Sequence, residues 1–270
     1  MDHYAVFGNP IAHSLSPDIH TQFAQLTGHT LSYTRILVAP GELQKALTDF
    51  AESGGRGANI TVPFKTEALQ LCTRATPLAI EAGACNCISF HASEWVADCT
   101  DGLGLVYDLT QQLQLSLAQK RILIVGCGGA TRGIIGPLLA EHPTEIVLIN
   151  RTMQKAEQLA ESFQSHGTLS ACPWHTVLFS EFDFIIHATS LGHTGQLPDL
   201  PPTTLSPTTW VYDLSYGKAA EPFLQWAITA GARHYTDGLG MLVAQAAFSF
   251  ERWRGIMPPV KPVLAAMRNR

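Results

Sequence analysis

The sequence predicts an α/β protein of two domains, each organised around a mostly parallel sheet. Three observations carry this expectation. Strand-like runs alternate with amphipathic helical patterns almost throughout the chain. The chain has 270 residues, more than the roughly 100 to 200 usual for one domain. Midway, an apolar strand runs straight through glycines into a helix, in "RILIVGCGGATRG" from Arg121.

Taken in order, the strand-like runs are "YAVFG", "SYTRILV", "GANITV", "NCISF", "RILIVG", "EIVLIN", "FDFIIHAT" and "WVYDLS". Each is short and rich in β-branched or aromatic residues. Amphipathic segments such as Gly41 to Ser53 and Met153 to Phe163 supply helices between them. Ser16 followed by Pro17 reads as a helix start, with Ser at the N-cap and Pro at the first helical position. The natural seam lies near residue 101, where "DCTDGLG" ends the first set of strands and a helix-like segment runs to about Leu117 before the strand at Arg121. A long amphipathic run, "DGLGMLVAQAAFSFERW", begins near Gly238. These marks predict one domain over 1–101, completed by helices in 239–270, and a second over 102–238. If the last helix packs on the first half, both connections are helices and the cleft between the domains is the expected active site. The proline-rich run "LPDLPPTTLSP" at 197–207 is expected to be a loop inside the second domain.

Composition narrows the function. A hydrophobic fraction of 46% provides for a packed core, and a net charge of -5 without a Lys/Arg run argues against nucleic acid as a partner. The N-terminal "MDHYAVFGNP" lacks a basic region followed by an apolar stretch, and no segment reaches the ~18 unbroken apolar residues of a membrane span. A cytoplasmic protein with a small-molecule partner and no membrane contact is expected. Six cysteines form no CxxC pair and eleven histidines form no HExxH, so reduced thiols and no catalytic metal are expected.

In the glycine turn, Gly126 permits the tight bend, Gly128 and Gly129 let a pyrophosphate approach the backbone, and the following helix offers unpaired N–H groups. Thr131 stands at the third position of the GxGxxG pattern, so by itself this turn could also be a glycine turn without a ligand. The next strand decides between cofactors. An NAD site wants Asp or Glu about 20 residues on, to bond the ribose 2′-hydroxyl. Here "INRTMQK" offers neutral Asn150, then Arg151 for stacking and for a 2′-phosphate, the Thr152 hydroxyl, and Lys155 one turn later. Cations at a helix start are disfavoured unless an anion sits there, so NADP is expected.

The first half carries a different chemistry. In "NITVPFK", Asn59 and Thr61 alternate with Ile60 and Val62, so the polar pair shares one strand face, and Lys65 follows just beyond. Ser14 and Ser16 also lie two apart. Two hydroxyls, an Asn/Thr pair and a lysine suit a small polyhydroxylated carboxylate.

Together "AVFGNPIAHSLSP", "GANITVPFK", "GACN", "DCTDG", "GCGGATRG", "NRT", "HATS" and "DGLGMLVAQA" resemble the shikimate dehydrogenase family in order and spacing over nearly the whole chain. The resemblance implies an N-terminal α/β substrate domain plus a Rossmann-like NADP-binding domain. It also implies reversible reduction of 3-dehydroshikimate by NADPH to shikimate, by a monomer or homodimer. It makes Lys65 and Asp101 the catalytic pair, with Lys65 as cation and proton donor beside the developing oxyanion and Asp101 orienting its ammonium. By the same resemblance, Ser14 and Ser16 bind the substrate carboxylate, while Asn59, Thr61, Asn86, Tyr216 and Gln245 read its ring hydroxyls. Gly126, Gly128, Gly129, Ala130, Asn150, Arg151, Thr152, Lys155, Thr189, Ser190, Leu214, Gly238 and Met241 line the NADP site.

Blander roles exist for several of these: a surface lysine, a helix-capping aspartate, a packed tyrosine, a glutamine facing water. The chain also departs from the family at Cys87 for a common Thr, Cys99 for a common Asn, Cys127 for a small residue, His187 for a common Asn before "ATS", and Lys155 for a frequent Arg. Cys99 has two readings, a small buried hydrophobe or an accessible thiol partly ionised by Lys65, since on an extended strand it would share a face with Asp101. The rival functions are a quinate or quinate/shikimate dehydrogenase using NAD, and a noncatalytic metabolite binder on the same fold. The Asn-Arg-Thr segment argues against the first, and the retained Lys65 and Asp101 against the second.

Overall fold

The computed structural model describes residues 1–92, 94–174, 182–198, 200 and 205–270. Of the proline-rich run at 197–207, residues 199 and 201–204 therefore lie outside the described residues. The strands are β1 (Asp2–Gly8), β2 (Leu31–Leu37), β3 (Gly55–Ile60), β4 (Arg74–Ala75), β5 (Cys87–Phe90), β6 (Trp95–Asp98), β7 (Arg121–Val125), β8 (Glu145–Ile149), β9 (Leu169–Ala171), β10 (Phe184–His187), β11 (Trp210–Asp213) and β12 (His234–Thr236). The α-helices are α1 (Ser16–Thr27), α2 (Leu43–Glu52), α3 (Lys65–Leu71), α4 (Pro77–Ala82), α5 (Asp101–Tyr107), α6 (Gly129–Ala140), α7 (Met153–Ser162), α8 (Glu221–Thr229), α9 (Leu239–Arg254) and α10 (Val260–Arg268).

These elements fall into two units, Met1–Gly104 with Leu242–Arg270, and Leu105–Met241. In the first, a six-stranded sheet has the order β2-β1-β3-β5-β6-β4. It is more mixed than the sequence pattern suggests. β1 is parallel to β2 and β3, but β5 runs antiparallel to both β3 and β6. The run "NCISF" is thus the first arm of a hairpin whose second arm, β6, the sequence reading missed. The core of this unit gathers Phe7, Leu43, Leu47, Ile60, Phe64 and Ile88. Burying each such side chain contributes roughly 1.5 to 3 kcal/mol.

The second unit is a six-stranded sheet in the order β12-β11-β10-β7-β8-β9, with every pair parallel. The chain builds outward from β7 through β8 to β9, returns to β10, and builds outward the other way. That reversal between β7 and β10 is the doubly wound, Rossmann-like order, in which ligands bind at the carboxyl ends of the strands beside the switch point. Ile122, Leu123, Ile124 and Val125 are all fully buried, as a central parallel strand covered on both faces requires. Among the described residues, no helix is long and apolar enough to cross a membrane.

Three local expectations change. The strand containing Asn59 ends at Ile60, and Val62 is 61% exposed rather than buried, because residues 61–64 form a turn leading into α3. Ser16 is the first helical residue, not the N-cap: Leu15 occupies that place without a capping bond, and the Ser16 N–H donates to the Ser14 hydroxyl at 3.3 Å. The segment after Asp101 is α-helical to Tyr107, passes into a π turn at Asp108–Gln112, and stops there, short of Leu117.

Candidate active site

Lys65 is the first residue of α3, held there by its neighbours' backbone. The Thr61 N–H donates to the Phe7 carbonyl, the Phe64 N–H closes the turn onto the Thr61 carbonyl, and the Cys85 N–H donates to the Lys65 carbonyl at 2.8 Å. The buried Phe64 side chain anchors the turn in the core. A Cβ at Gly8 would collide with the Thr61 methyl, so Gly8 lets this turn lie close against β1. Asp101 is the first residue of α5, where the helix dipole favours a carboxylate.

The two side chains meet: Lys65 Nζ donates to Asp101 Oδ2 at 2.5 Å, with the side chains 25% and 11% exposed. Burial works against the Lys65 charge, but the adjacent Asp101 carboxylate outweighs it together with smaller thiol effects, and the ammonium is held above the usual lysine range. Lys65 is therefore protonated at neutral pH and able to donate.

A buried polar network surrounds this pair. Asn86 Nδ2 faces three acceptors, Thr100 Oγ1 at 3.0 Å, Asp101 Oδ1 at 2.8 Å and Gln245 Oε1 at 3.1 Å. An amide nitrogen carries only two hydrogens, so it serves two of these acceptors at a time, and the Thr100 hydroxyl also reaches Gln245 Oε1 at 3.4 Å. The Asn86 Oδ1 accepts from the Thr100 N–H at 2.8 Å. Asn59 donates to the Asn86 carbonyl at 3.0 Å and to Ser249 Oγ at 2.9 Å, and its Oδ1 accepts from the Tyr33 hydroxyl at 2.7 Å. Gln245 is buried in this network, not turned to water. Ser14 and Ser16 hydroxyls lie 3.2 Å apart, and Ser16 stands beside Tyr33. Arg35 clamps the Ser14 carbonyl through Nε at 2.8 Å and Nη2 at 2.6 Å. Thr61 is half-buried at the turn.

Tyr33, Thr100 and Ser249 were missed by sequence reasoning. They fix the amide orientations of Asn59 and Asn86. Ser249 was findable, since it lies four residues after Gln245 and so shares its face of α9. Tyr33 and Thr100 gave no such signal.

Cys99 is 2% exposed and lies after the end of β6 while Asp101 already begins α5, so the shared-face argument, which needs both on one strand, does not apply. Burial, with Asp101 adding to it and Lys65 opposing, pushes its thiol up to about 12. The accessible, ionised reading is corrected: Cys99 is part of the core. Cys87 is likewise buried, with its thiol pushed up by desolvation.

In the second unit the glycine loop has the form that a dinucleotide needs. Gly126 has φ +104°, open to glycine and strained for other residues. Thr131, at the third fingerprint position, is buried and donates to the Gly126 carbonyl at 2.7 Å, closing the loop. A Cβ at Gly128 or Gly129 would meet nothing within 4 Å, so the backbone there is open, and Ala130 is exposed in the first turn of α6. This uncovered cradle at the start of a twelve-residue helix fits a pyrophosphate. Asn150 ties the loop to the next element: its Oδ1 accepts from the Cys127 N–H at 3.2 Å and its Nδ2 donates to the Thr152 carbonyl at 2.8 Å. Thr152 is the N-cap of α7, with Arg151 and Lys155 exposed beside it.

At the other side of the switch point, Thr189 and Ser190 follow β10 and Leu214 follows β11. Gly238 is needed for close packing, since a Cβ there would overlap the Leu214 carbonyl. Met241 is buried and its N–H donates to the Tyr212 hydroxyl at 3.3 Å. Tyr216 is half-buried after β11, and burial raises its hydroxyl above the usual tyrosine range.

Three family models match the chain. The family model of the shikimate dehydrogenase substrate binding domain matches residues 6–88, that of shikimate / quinate 5-dehydrogenase matches 108–194, and that of the shikimate 5'-dehydrogenase C-terminal domain matches 238–268. A shikimate dehydrogenase (NADP(+)) from Cellvibrio japonicus is 47% identical, covering 100% of this chain and 98% of that protein. Another, from Alkalilimnicola ehrlichii, is 48% identical over 99% of this chain and 98% of that protein. Among solved structures, an Ael1 enzyme from Pseudomonas putida is similar with a TM-score of 0.94 and 38% identity, covering 98% of each chain. The shikimate 5-dehydrogenase of Thermus thermophilus, in complex with NADP(H) and shikimate, has a TM-score of 0.88 and 30% identity over 100% of this chain and 99% of that one. On its sequence, its fold and these full-length likenesses, the chain belongs to the shikimate dehydrogenase family.

Proposed function

We infer that this chain catalyses the reversible NADPH-dependent reduction of 3-dehydroshikimate to shikimate, the oxidoreductase step that leads towards chorismate and the aromatic amino acids. In this reading the first unit holds and protonates the substrate and the second holds NADP. The observation that carries it is the Lys65–Asp101 pair set in an acceptor-rich amide network. A polyol brings O–H groups that both donate to and accept from such a network.

Bound NADPH would supply a hydride to the carbonyl carbon. As negative charge grows on the carbonyl oxygen, Lys65 donates its proton to it, and Asp101 Oδ2 keeps the ammonium aimed and its charge paired. Asn86, through Asp101 Oδ1, fixes the carboxylate. In the reverse direction the same lysine, once deprotonated, takes the hydroxyl proton. Ser14 and Ser16 would donate to the substrate carboxylate, on a loop kept in place by Arg35. Asn59, Thr61, Asn86, Tyr216 and Gln245 would read the ring hydroxyls, joining the hydrogen bonds that already link Asn86 to Asp101 Oδ1 and Gln245 Oε1.

The cofactor is NADP(H). Gly126, Gly128, Gly129 and Ala130 would cradle the pyrophosphate. Arg151, Thr152 and Lys155 would take the 2′-phosphate, with Asn150 bracing them. Thr189, Ser190, Leu214, Gly238 and Met241 would line the other end. The thiols of Cys72, Cys85, Cys87, Cys99 and Cys127 support a reducing, cytoplasmic setting.

The test is absorbance at 340 nm with shikimate and quinate, each offered NADP and NAD. Fast reduction of NADP by shikimate, with the other three combinations at least tenfold slower in kcat/KM, is expected. A preference for quinate with NAD would refute this reading in favour of its nearest rival.

A further inference from the structure

We propose that His187 is a positioning residue for the cofactor, acting through the Thr189 hydroxyl in a buried relay of Asp213, His187 and Thr189. This rests on the NADP reading above and adds a residue to it. His187 and Asp213 are register partners at the carboxyl ends of the parallel strands β10 and β11, and both side chains are 0% exposed. With Arg151 beyond β8 on one side of the switch point, a dinucleotide lying across the loop brings its nicotinamide half over β10 and β11.

The hydrogens can be assigned around the relay. Asp213 Oδ1 accepts from the Ser215 N–H at 2.8 Å, and Oδ2 lies 2.9 Å from His187 Nδ1. A carboxylate only accepts, so a neutral His187 ring carries its hydrogen on Nδ1. The opposite edge, Nε2, stands 2.6 Å from Thr189 Oγ1, which also receives the Leu191 N–H at 3.3 Å. The Thr189 hydrogen therefore goes to Nε2, and the hydroxyl presents a lone pair to whatever lies against it.

The ring and the hydroxyl are each held from a second side. Phe223 stacks on His187 with centroids 4.3 Å apart and planes at 26°. The Thr189 methyl lies against the glycine loop, where a Cβ on Gly126 would approach it to 2.7 Å. A histidine that only filled the core would need Asp213 and Phe223 but not Thr189. The bond to Thr189, a residue of the proposed NADP site, is what gives His187 a part in cofactor placement.

His187→Asn is the decisive variant. In His187→Asn the amide nitrogen stands near the place of Nδ1 and keeps the Asp213 bond, while nothing remains in the place of Nε2. The NADP dissociation constant and kcat are measured for wild type, His187→Asn, Thr189→Val, Thr189→Ser and the double variant His187→Asn/Thr189→Val, with folding checked by circular dichroism. His187→Asn and Thr189→Val are each expected to weaken NADP about 3- to 10-fold, the worth of one hydrogen bond. The double variant is expected to be no worse than either single, and Thr189→Ser to stay within about 2-fold of wild type. Multiplicative losses in the double variant, or a His187→Asn protein with unchanged NADP affinity, would overturn the relay. A wild-type protein that failed to bind NADP would refute the cofactor reading and the relay together, whereas normal wild-type binding with multiplicative losses refutes the relay alone.

Discussion

Acid should destabilise the first unit through a residue with no part in the chemistry. His20, on α1, is 0% exposed and enclosed by the rings of Phe23, Tyr33, Phe250 and Trp253. Among the described residues, neither ring nitrogen makes a hydrogen bond of good geometry. Burial pushes the imidazole down from 6.5 to about 3, with the neighbouring Asn59 amide working weakly the other way. The unfolded chain then binds a proton that the folded one refuses. The contribution is fully present above about pH 6.5 and is lost as pH falls towards 3. At about 1.4 kcal/mol per pH unit, the loss is about 2 kcal/mol at pH 5 and approaches 5 kcal/mol near pH 3. That is a large part of the ~5 to 15 kcal/mol that holds a typical domain together. Tyr33, which stacks on His20 at 4.3 Å, also donates to Asn59, so loosening this cage disturbs the site network. The assay is urea unfolding from pH 7.5 to 4.5 for wild type and His20→Leu, a substitution of similar volume that cannot be protonated. Wild type should lose about 2 kcal/mol more than the variant between pH 7.5 and 5. Parallel stability curves would show that His20 is protonated at no cost in the folded protein and would refute the reasoning.

Arg151→Ala should weaken NADP about tenfold or more while leaving NAD nearly unchanged, because only NADP carries the phosphate its guanidinium would fork onto; equal losses would mean that it serves adenine alone. Tyr33→Phe removes the donor to Asn59 Oδ1, and should raise the KM for shikimate several-fold and lower stability by about 1 to 2 kcal/mol, with the KM for NADP unmoved. An unchanged shikimate KM would remove Tyr33 from the account. In the native protein at pH 8, iodoacetamide should label the half-buried Cys72, whose thiol is held down by its hydrogen bond with Cys85, well before Cys99, and Cys99→Ser should not alter the inactivation rate. Rapid labelling of Cys99, protected by shikimate, would reverse the assignment of that thiol to the core.

What was legible in the sequence follows from how local each signal is. The glycine loop, the Asn-Arg-Thr segment and β7 are contiguous, and their chemistry could be read from spacing. The pairing of Lys65 with Asp101, 36 residues apart, came only through family resemblance, because nothing local brings two helix starts together. The strand end at Ile60 was misjudged because alternation continues through Thr61 and Val62, whereas the chain has already turned. β6, at Trp95–Asp98, was missed as a four-residue strand whose stability comes from pairing with β5, not from its own pattern. In the sequence His187 stands out only as a departure from a common Asn. Its partner Asp213 is 26 residues away and meets it only through strand register, which is not visible in a single sequence.

The central claim is that Lys65, oriented by Asp101, protonates the carbonyl oxygen of 3-dehydroshikimate as NADPH reduces it. The measurement that tests it most directly is a single-turnover mix of enzyme and NADPH with 3-dehydroshikimate, followed at 340 nm, for wild type and Lys65→Met. Wild type should consume NADPH within the mixing experiment. The folded variant should bind both ligands with affinities within about 3-fold of wild type, yet oxidise NADPH about 10² to 10⁴ times more slowly, the range for losing a general acid. A Lys65→Met protein that turned over at near the wild-type rate, or one whose whole defect lay in ligand affinity, would contradict the account.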